Sequence, residues 1–140
     1  MKKSGFKLLG ILAGAVMMCC ALLAGCTPPL SSDFNEEDVK SAAENVITLI
    51  NSQDSEGLKA ISNVQMRQAL TDDLLGQIYE AIGEGGQFNS IKDISVSGAK
   101  DKSSGEEFAM VVAKAEYEIK SFIYTITFTK QMKLAGLYYK

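Results

Sequence analysis

The hydrophobic period of this chain changes at a cluster of glycines, Gly83-Glu84-Gly85-Gly86. Before the cluster, apolar residues recur every three or four positions, as they do in amphipathic helices. After it, apolar and polar residues alternate, as they do in strands that have one face in water. Helices followed by closely connected antiparallel strands favour an α+β fold in which the helices cover one face of the sheet.

The first part of this pattern predicts three N-terminal helices. Residues 35–52 place their apolar side chains on one helical face, and the acids at 33–38 suit the positive end of a helix better than a calcium site. Residues 55–61 predict a short second helix, with one or two further turns over 63–70. A last helix is expected from Thr71 to the glycine cluster, which ends it.

The second part predicts four strands that follow one another along the chain. They cover residues 88–97, 107–120, 122–129 and 132–139, with an irregularity near Lys92-Asp93. A polar loop over 98–105 separates the first two strands, and the later connections are only a few residues long. Short connections predict antiparallel neighbours in chain order, which make a four-stranded meander.

Alternation along these strands predicts an inner face that carries large aromatic side chains. With small neighbours such as Ala113 and Gly136, this face has room for a ligand that tyrosyl hydroxyls would orient. The alternative is that the same side chains pack solidly against the helices. The candidate pocket residues are Tyr117, Tyr124, Tyr138, Phe122 and Phe128, and alternation assigns Ile119 to the same face.

The amino-terminal segment has the pattern of a signal peptide. Residues 1–7 carry three lysines, residues 8–22 are apolar and uncharged, and Leu23-Ala24-Gly25-Cys26 follows. These last four residues resemble the lipobox of bacterial lipoproteins. The resemblance implies that Leu23, Ala24 and Gly25 are read by the lipoprotein signal peptidase and that Cys26 becomes the lipidated first residue. The alternative is an uncleaved anchor, because 18 uncharged residues lie at the lower limit for a membrane-spanning helix.

These features divide the chain into three parts. Residues 1–25 are the signal peptide, residues 26–33 are the lipidated cysteine with a short linker, and residues 34–140 are a single domain. The proline-bearing linker spans only about 20 Å when extended. We therefore expect an extracytoplasmic domain that a diacylglycerol on Cys26 holds close to the cell membrane.

The composition argues against an enzyme, a metal site and a nucleic-acid partner. The chain has no histidine, so it lacks an imidazole base and the commonest metal ligand. Glu116 and Glu118 fall on the wet face, which leaves Asp93 as the one acid that could point inward. Residues 26–140 have a formal charge of −6, because three of the 14 basic residues and none of the 17 acids precede them. We expect no catalytic residue, metal, cofactor or nucleic acid.

Two short stretches resemble a known bacterial family. Gly86-Gln87-Phe88-Asn89-Ser90-Ile91 and Lys133-Leu134-Ala135-Gly136-Leu137-Tyr138 are similar to segments of the domain of unknown function 3887 family, whose members are often exported or lipid-anchored. The order of the elements also resembles the nuclear transport factor 2-like, or ketosteroid-isomerase-like, cone. This resemblance implies three N-terminal helices on a curved, four-stranded antiparallel sheet. It implies no reaction, because proteins with this fold range from isomerases to adaptors.

The sequence is compatible with two functions. The first is a membrane-anchored, noncatalytic binding or adaptor module, whose partner is an envelope protein or a cell-wall component. The second is a carrier or sensor of a small apolar ligand in the cone pocket.

Overall fold

The computed structural model describes residues 28–140, and the residues predicted for lipidation and signal-peptidase recognition, Leu23, Ala24, Gly25 and Cys26, lie outside them. The helices of the described part are α1 (Glu36–Asn51), α2 (Ser55–Ala60), α3 (Val64–Ala69) and α4 (Asp72–Gly83). The strands are β1 (Phe88–Lys100), β2 (Glu107–Tyr117), β3 (Ser121–Phe128) and β4 (Leu134–Tyr139). The predicted α+β order is confirmed.

The expectation of three helices is wrong, since residues 28–140 contain four. The turns expected over 63–70 form a separate helix, α3, because Asn63 Oδ1 accepts a hydrogen bond from the Met66 N–H at 2.8 Å and begins it. Within the described part, the helices are too short or too polar to cross a bilayer. The residues that cap the four helices at their N-termini are Asn35, Asp54, Asn63 and Thr71.

The four strands form one open antiparallel sheet in the order β1-β2-β3-β4, as the short connections predict. The irregularity expected in β1 is confirmed, because Ile91 pairs with Ala115 and Asp93 pairs with Lys114, so Lys92 is an extra residue. Such a bulge bends the strand and keeps Ile91 and Ile94 on the same face although they are three positions apart.

A bulge in β4 corrects the predicted position of Tyr138. Thr127 pairs with Gly136 and Phe128 pairs with Leu134, so Ala135 is an extra residue in β4. The bulge shifts the alternation by one position, and Tyr138 lies opposite Thr125 on the outer face, where it is 37% exposed. The prediction that Tyr138 belongs to the inner face is therefore wrong.

The assignment of Ile119 to the inner face is also wrong. Strand β2 ends at Tyr117, whose N–H donates to the Lys120 carbonyl at 2.9 Å and closes a turn. Ile119 lies in this turn and is 71% exposed. The side-chain alternation of β2 therefore does not continue into residues 118–120.

The helices cover the inner face of the sheet, where β2 has a run of small side chains. Ala109, Ala113 and Ala115 are completely buried, and they leave room for α1 to lie against β1 and β2. Tyr124 and Phe128 on β3 are no more than 1% exposed. The middle of the inner face is therefore filled with side chains. The buried residues of α1 and α4 are Val39, Ala43, Val46, Ile47, Ile50, Leu75, Ile78 and Ile82.

This packing predicts different costs for two tyrosine truncations. We expect Tyr124→Ala to lower the free energy of unfolding by about 3–5 kcal/mol, because it opens a cavity in the core. We expect Tyr138→Ala on the outer face to cost less than about 1 kcal/mol. Urea unfolding followed by circular dichroism measures both values. Equal costs would contradict the assignment of these side chains to opposite faces.

Candidate functional site

A cleft of about 500 Å³ lies where the C-terminal ends of α1 and α4 meet the start of β1 and the end of β2. Its lining combines amide, aromatic, aliphatic and glycine residues, and none of these described residues carries a charge. A cleft of this kind can bind an uncharged ligand through hydrogen bonds and apolar contacts. The lining residues are Ile50, Asn51, Gln53, Tyr79, Ile82, Gly83, Gly86, Gln87, Phe88 and Tyr117.

A chain of three hydrogen-bonding groups runs from the core to this cleft. The Tyr117 hydroxyl donates to Asn51 Oδ1 at 2.6 Å, and it lies 2.8 Å from the Tyr124 hydroxyl. Because Tyr117 has one hydroxyl proton, Tyr124 must donate to Tyr117. Asn51 Oδ1 accepts this hydrogen bond, and the Nδ2 amide of the same side chain can donate to a ligand.

A series of three aromatic rings runs from the lining of the cleft into the core. The ring centroids of Phe88 and Tyr117 are 5.4 Å apart, and those of Tyr117 and Phe122 are 5.3 Å apart, both with edge-to-face geometry. Such contacts hold the rings in fixed positions. Phe88 is 37% exposed at the open end of this series and can contact a ligand.

Gln53 lies in the cleft because α1 ends with a left-handed residue. Its φ is 56°, and the Asp54 N–H that follows donates back to the Leu49 carbonyl at 2.9 Å. Glycine is the usual residue at this position of a helix end, and a longer side chain there costs about 1 kcal/mol. The glutamine thus adds an amide group to the lining at a conformational cost.

The loop between α4 and β1, residues 84–87, is hydrogen-bonded to the turn between β2 and β3. The Ile119 N–H donates to the Gly85 carbonyl at 2.7 Å, and the Glu118 N–H donates to the Gln87 carbonyl at 2.8 Å. Glycine is required here: a Cβ on Gly85 would lie 2.8 Å from the Phe122 ring, and Gly86 has a φ of +84°. The glycine cluster therefore ends α4 and also permits this close approach.

The structure separates the five residues predicted to form a pocket. Tyr117 lines the cleft, and Tyr124 is joined to it by the hydroxyl contact. Phe122 and Phe128 are buried in the core, whereas Tyr138 is on the outer face. The amide residues Asn51, Gln53 and Gln87 were not predicted, because in the sequence they resemble ordinary helix-end and loop residues. Gln87 and Phe88 belong to residues 86–91, which carry the family resemblance. This resemblance was the sequence signal that could have indicated them as site residues.

Acidic side chains contribute to the rim of the cleft and not to its lining. Asp93, the acid that could have pointed inward, is exposed and pairs with Lys114 on the outer face. Glu118 Oε1 accepts a hydrogen bond from the Gln87 N–H at 3.3 Å. Within residues 28–140, no three Asp, Glu, His or Cys side chains are close enough to hold a metal ion.

The two tyrosines of the hydrogen-bonded chain are held in their neutral form. Burial raises the pKa of Tyr117, and burial also raises the pKa of Tyr124, whose hydrogen bond to Tyr117 acts in the same direction. At neutral pH the hydroxyls of Tyr117 and Tyr124 are therefore polar but uncharged. This agrees with the absence of charge in the described lining.

A comparison with protein families identifies the family of this chain. The family described as Protein of unknown function (DUF3887) matches residues 43–137. The chain belongs to the DUF3887 family. This match confirms the family resemblance carried by residues 86–91 and 133–138. It begins within α1 and ends within β4, so all the residues that line the cleft lie inside the DUF3887 region.

A solved structure has a similar fold. It is the NMR structure of a protein from Ruminococcus gnavus, with a TM-score of 0.69 and 18% sequence identity. The similarity covers 79% of this chain and 96% of the other. At this identity it supports the arrangement of the elements alone. The sequence matches no curated protein.

The tyrosine chain predicts a loss of stability at alkaline pH. The pKa values of both tyrosines are higher in the folded protein than in the unfolded chain, where the pKa of tyrosine is about 10. Their contribution to the free energy of unfolding is therefore fully present below about pH 10 and is lost as the pH rises further. We expect Tyr124→Phe to be about 1 kcal/mol less stable at pH 7 but to lose less stability above pH 10. Urea unfolding between pH 7 and 11 measures this slope. Phe122→Leu is the control, because it disturbs the same cluster but keeps both hydroxyls, and a Tyr124→Phe slope as steep as that of this control would contradict the assignment.

Proposed function

We propose that this chain is a lipid-anchored, noncatalytic binding module on the outer side of the cell membrane, and that the cleft is its binding surface. The observation that carries the proposal is the contrast within the inner face. Its middle is filled with side chains, whereas one end remains open and has an uncharged lining of amides and aromatic rings. An open site without acids, bases or nucleophiles in its described lining suits recognition better than a reaction.

The lining is prepared for binding before a partner arrives. The Tyr124 and Tyr117 hydroxyls fix Asn51, and Ser55 is 2.9 Å from the Tyr79 hydroxyl and holds that ring. Groups that are already positioned lose little entropy when a ligand binds. This favours a partner that makes hydrogen bonds with amides and contacts the exposed ring of Phe88. We propose an envelope protein or a cell-wall component as that partner.

A second candidate function is a carrier or sensor of a small apolar ligand. The volume of about 500 Å³ lies within the range of ligand pockets, and Ile50, Ile82 and Phe88 supply apolar contact area. Tyr117 and the amides would then orient the ligand. The openness of the cleft to solvent favours the first candidate, because a small apolar ligand is retained best when most of its surface is buried.

The lipid anchor is the part of the proposal that depends on the amino-terminal sequence. Leu23-Ala24-Gly25-Cys26 follows an uncharged apolar run, and lipidation at Cys26 would keep the acidic domain at a membrane that repels it. We also propose that the sheet has the curvature of the nuclear transport factor 2-like cone. The bulges in β1 and β4 support this, because a bulge bends its strand.

Substitution of the cysteines tests the anchor. We expect Cys26→Ser to block processing or to release the protein from the membrane fraction, because the diacylglycerol has no thiol to join. Cys20→Ser is the matched control, since this residue lies in the predicted signal peptide and would be removed. Membrane fractionation and the mass of the intact protein measure the result. Unchanged retention and mass in Cys26→Ser would contradict the lipidation proposal.

Native mass spectrometry of protein extracted from its own host tests the cleft. The first candidate predicts no small-molecule adduct, and it predicts a defined protein or cell-wall fragment that Phe88→Ala removes. The second candidate predicts a discrete added mass of small-molecule size that Phe88→Ala also removes. Tyr138→Ala is the matched control, because both aromatic rings are 37% exposed and lie on opposite faces. A bound mass that only Tyr138→Ala removes would place the binding site on the outer face.

A further inference from the structure

The segment that precedes α1 is bound to the sheet. The Gly98 N–H of β1 donates to the Pro28 carbonyl at 2.9 Å, and a Cβ at Gly98 would overlap the Pro29 carbonyl. Gly98 is itself buried. The absence of a side chain at this position therefore allows the linker to lie directly against the strand.

An ion-pair network holds the same segment at a second point. Lys130 Nζ lies 2.9 Å from a carboxylate oxygen of Asp33 and 3.1 Å from a carboxylate oxygen of Glu107. Lys130 follows β3 and Glu107 begins β2, so Asp33 of the linker pairs with a lysine that also pairs with the start of β2. Phe34 then enters the core at 9% exposure. Most of the linker predicted between residues 26 and 33 thus belongs to the folded domain.

This attachment limits how far the proposed anchor can be from the sheet. Cys26 is two residues before Pro28, so their Cα atoms are at most about 7 Å apart whatever path the chain takes. Phe88 in the cleft and Gly98 at the linker are ten residues apart on β1. At about 3.3 Å per residue, the two positions are separated by roughly 30 Å, and the bulges shorten this distance somewhat.

We infer that the docked linker places the Gly98 end of the sheet against the membrane and turns the cleft away from it. This inference rests on the proposed lipidation of Cys26. Because the strands are antiparallel, the loops at 101–106 and 129–133 lie at the Gly98 end and face the lipid surface. The formal charge of −6 opposes a domain that lies flat on anionic headgroups. The partner of the cleft therefore comes from the envelope beyond the bilayer.

Energy transfer from two positions of the lipidated full chain to the bilayer tests the inference. Lys102→Cys labels the loop at the Gly98 end, and Asn89→Cys labels β1 next to the cleft. The chain has cysteines only at 19, 20 and 26, and the proposed lipid occupies the thiol that remains after processing. The labelled protein is placed in vesicles of phosphatidylcholine and phosphatidylglycerol that contain an acceptor lipid. We expect transfer that is roughly twofold or more stronger from position 102, because the two labels are about 30 Å apart along the strand.

Gly98→Ala tests the role of the linker in the same assay. The added methyl group must displace the Pro29 carbonyl, which lengthens the free tether, so we expect the difference between the two labels to shrink. Gly76→Ala is the matched control, because a Cβ there meets no atom within 4 Å. Equal transfer from both positions of the otherwise unaltered protein, or stronger transfer from position 89, overturns the inference. Protein that fails to float with the vesicles overturns the anchor itself, and this outcome is seen before any label is compared.

Discussion

The fold depends on the packing of α1 against the inner face of the sheet. This contact is close because β2 presents alanines where the other strands present large side chains, and because α1 buries five apolar residues on one face. The helix fills the middle of the sheet, so no ligand can enter there. The cleft forms only beyond Asn51, where α1 ends and the sheet continues. The position of the candidate site is thus a consequence of the length of one helix.

The hydrophobic period predicted the order of helices and strands, but it did not predict α3 as a separate helix or the faces of the last strand residues. The change of period at the glycine cluster separated helices from strands correctly, and the predicted starts of α1 and α4 lie within a residue of the observed ones. Alternation failed at Tyr138 because Ala135 is inserted in β4, and it failed at Ile119 because β2 ends two residues earlier. A bulge changes the face of every residue that follows it, yet depends on backbone pairing that a single strand does not reveal.

The candidate site was harder to predict than the fold for a physical reason. Its lining comes from the ends of α1 and α4, the loop that follows and the ends of two strands, which only tertiary packing brings together. Gln53 illustrates the difficulty, because its amide reaches the cleft through a left-handed backbone conformation that the sequence gives no reason to expect of a glutamine. The tyrosines were found for their size and hydroxyls. In the structure, the Tyr124 and Tyr117 hydroxyls form a hydrogen-bonded series that ends on Asn51 Oδ1.

The two ends of β1 have different surroundings, so the proposed anchor and the proposed binding surface lie at opposite ends of this strand. Phe88 borders the cleft, whereas Gly98 receives the linker, and the strand between them crosses the whole sheet. The DUF3887 match contains the cleft and also Gly98 and Lys130, but it begins after the linker that these two residues contact. The domain thus binds its own linker through these contacts. The residues that contact the linker and the residues that line the cleft do not overlap. A substitution in the linker can therefore alter the proposed orientation of the domain at the membrane and leave the lining of the cleft unchanged.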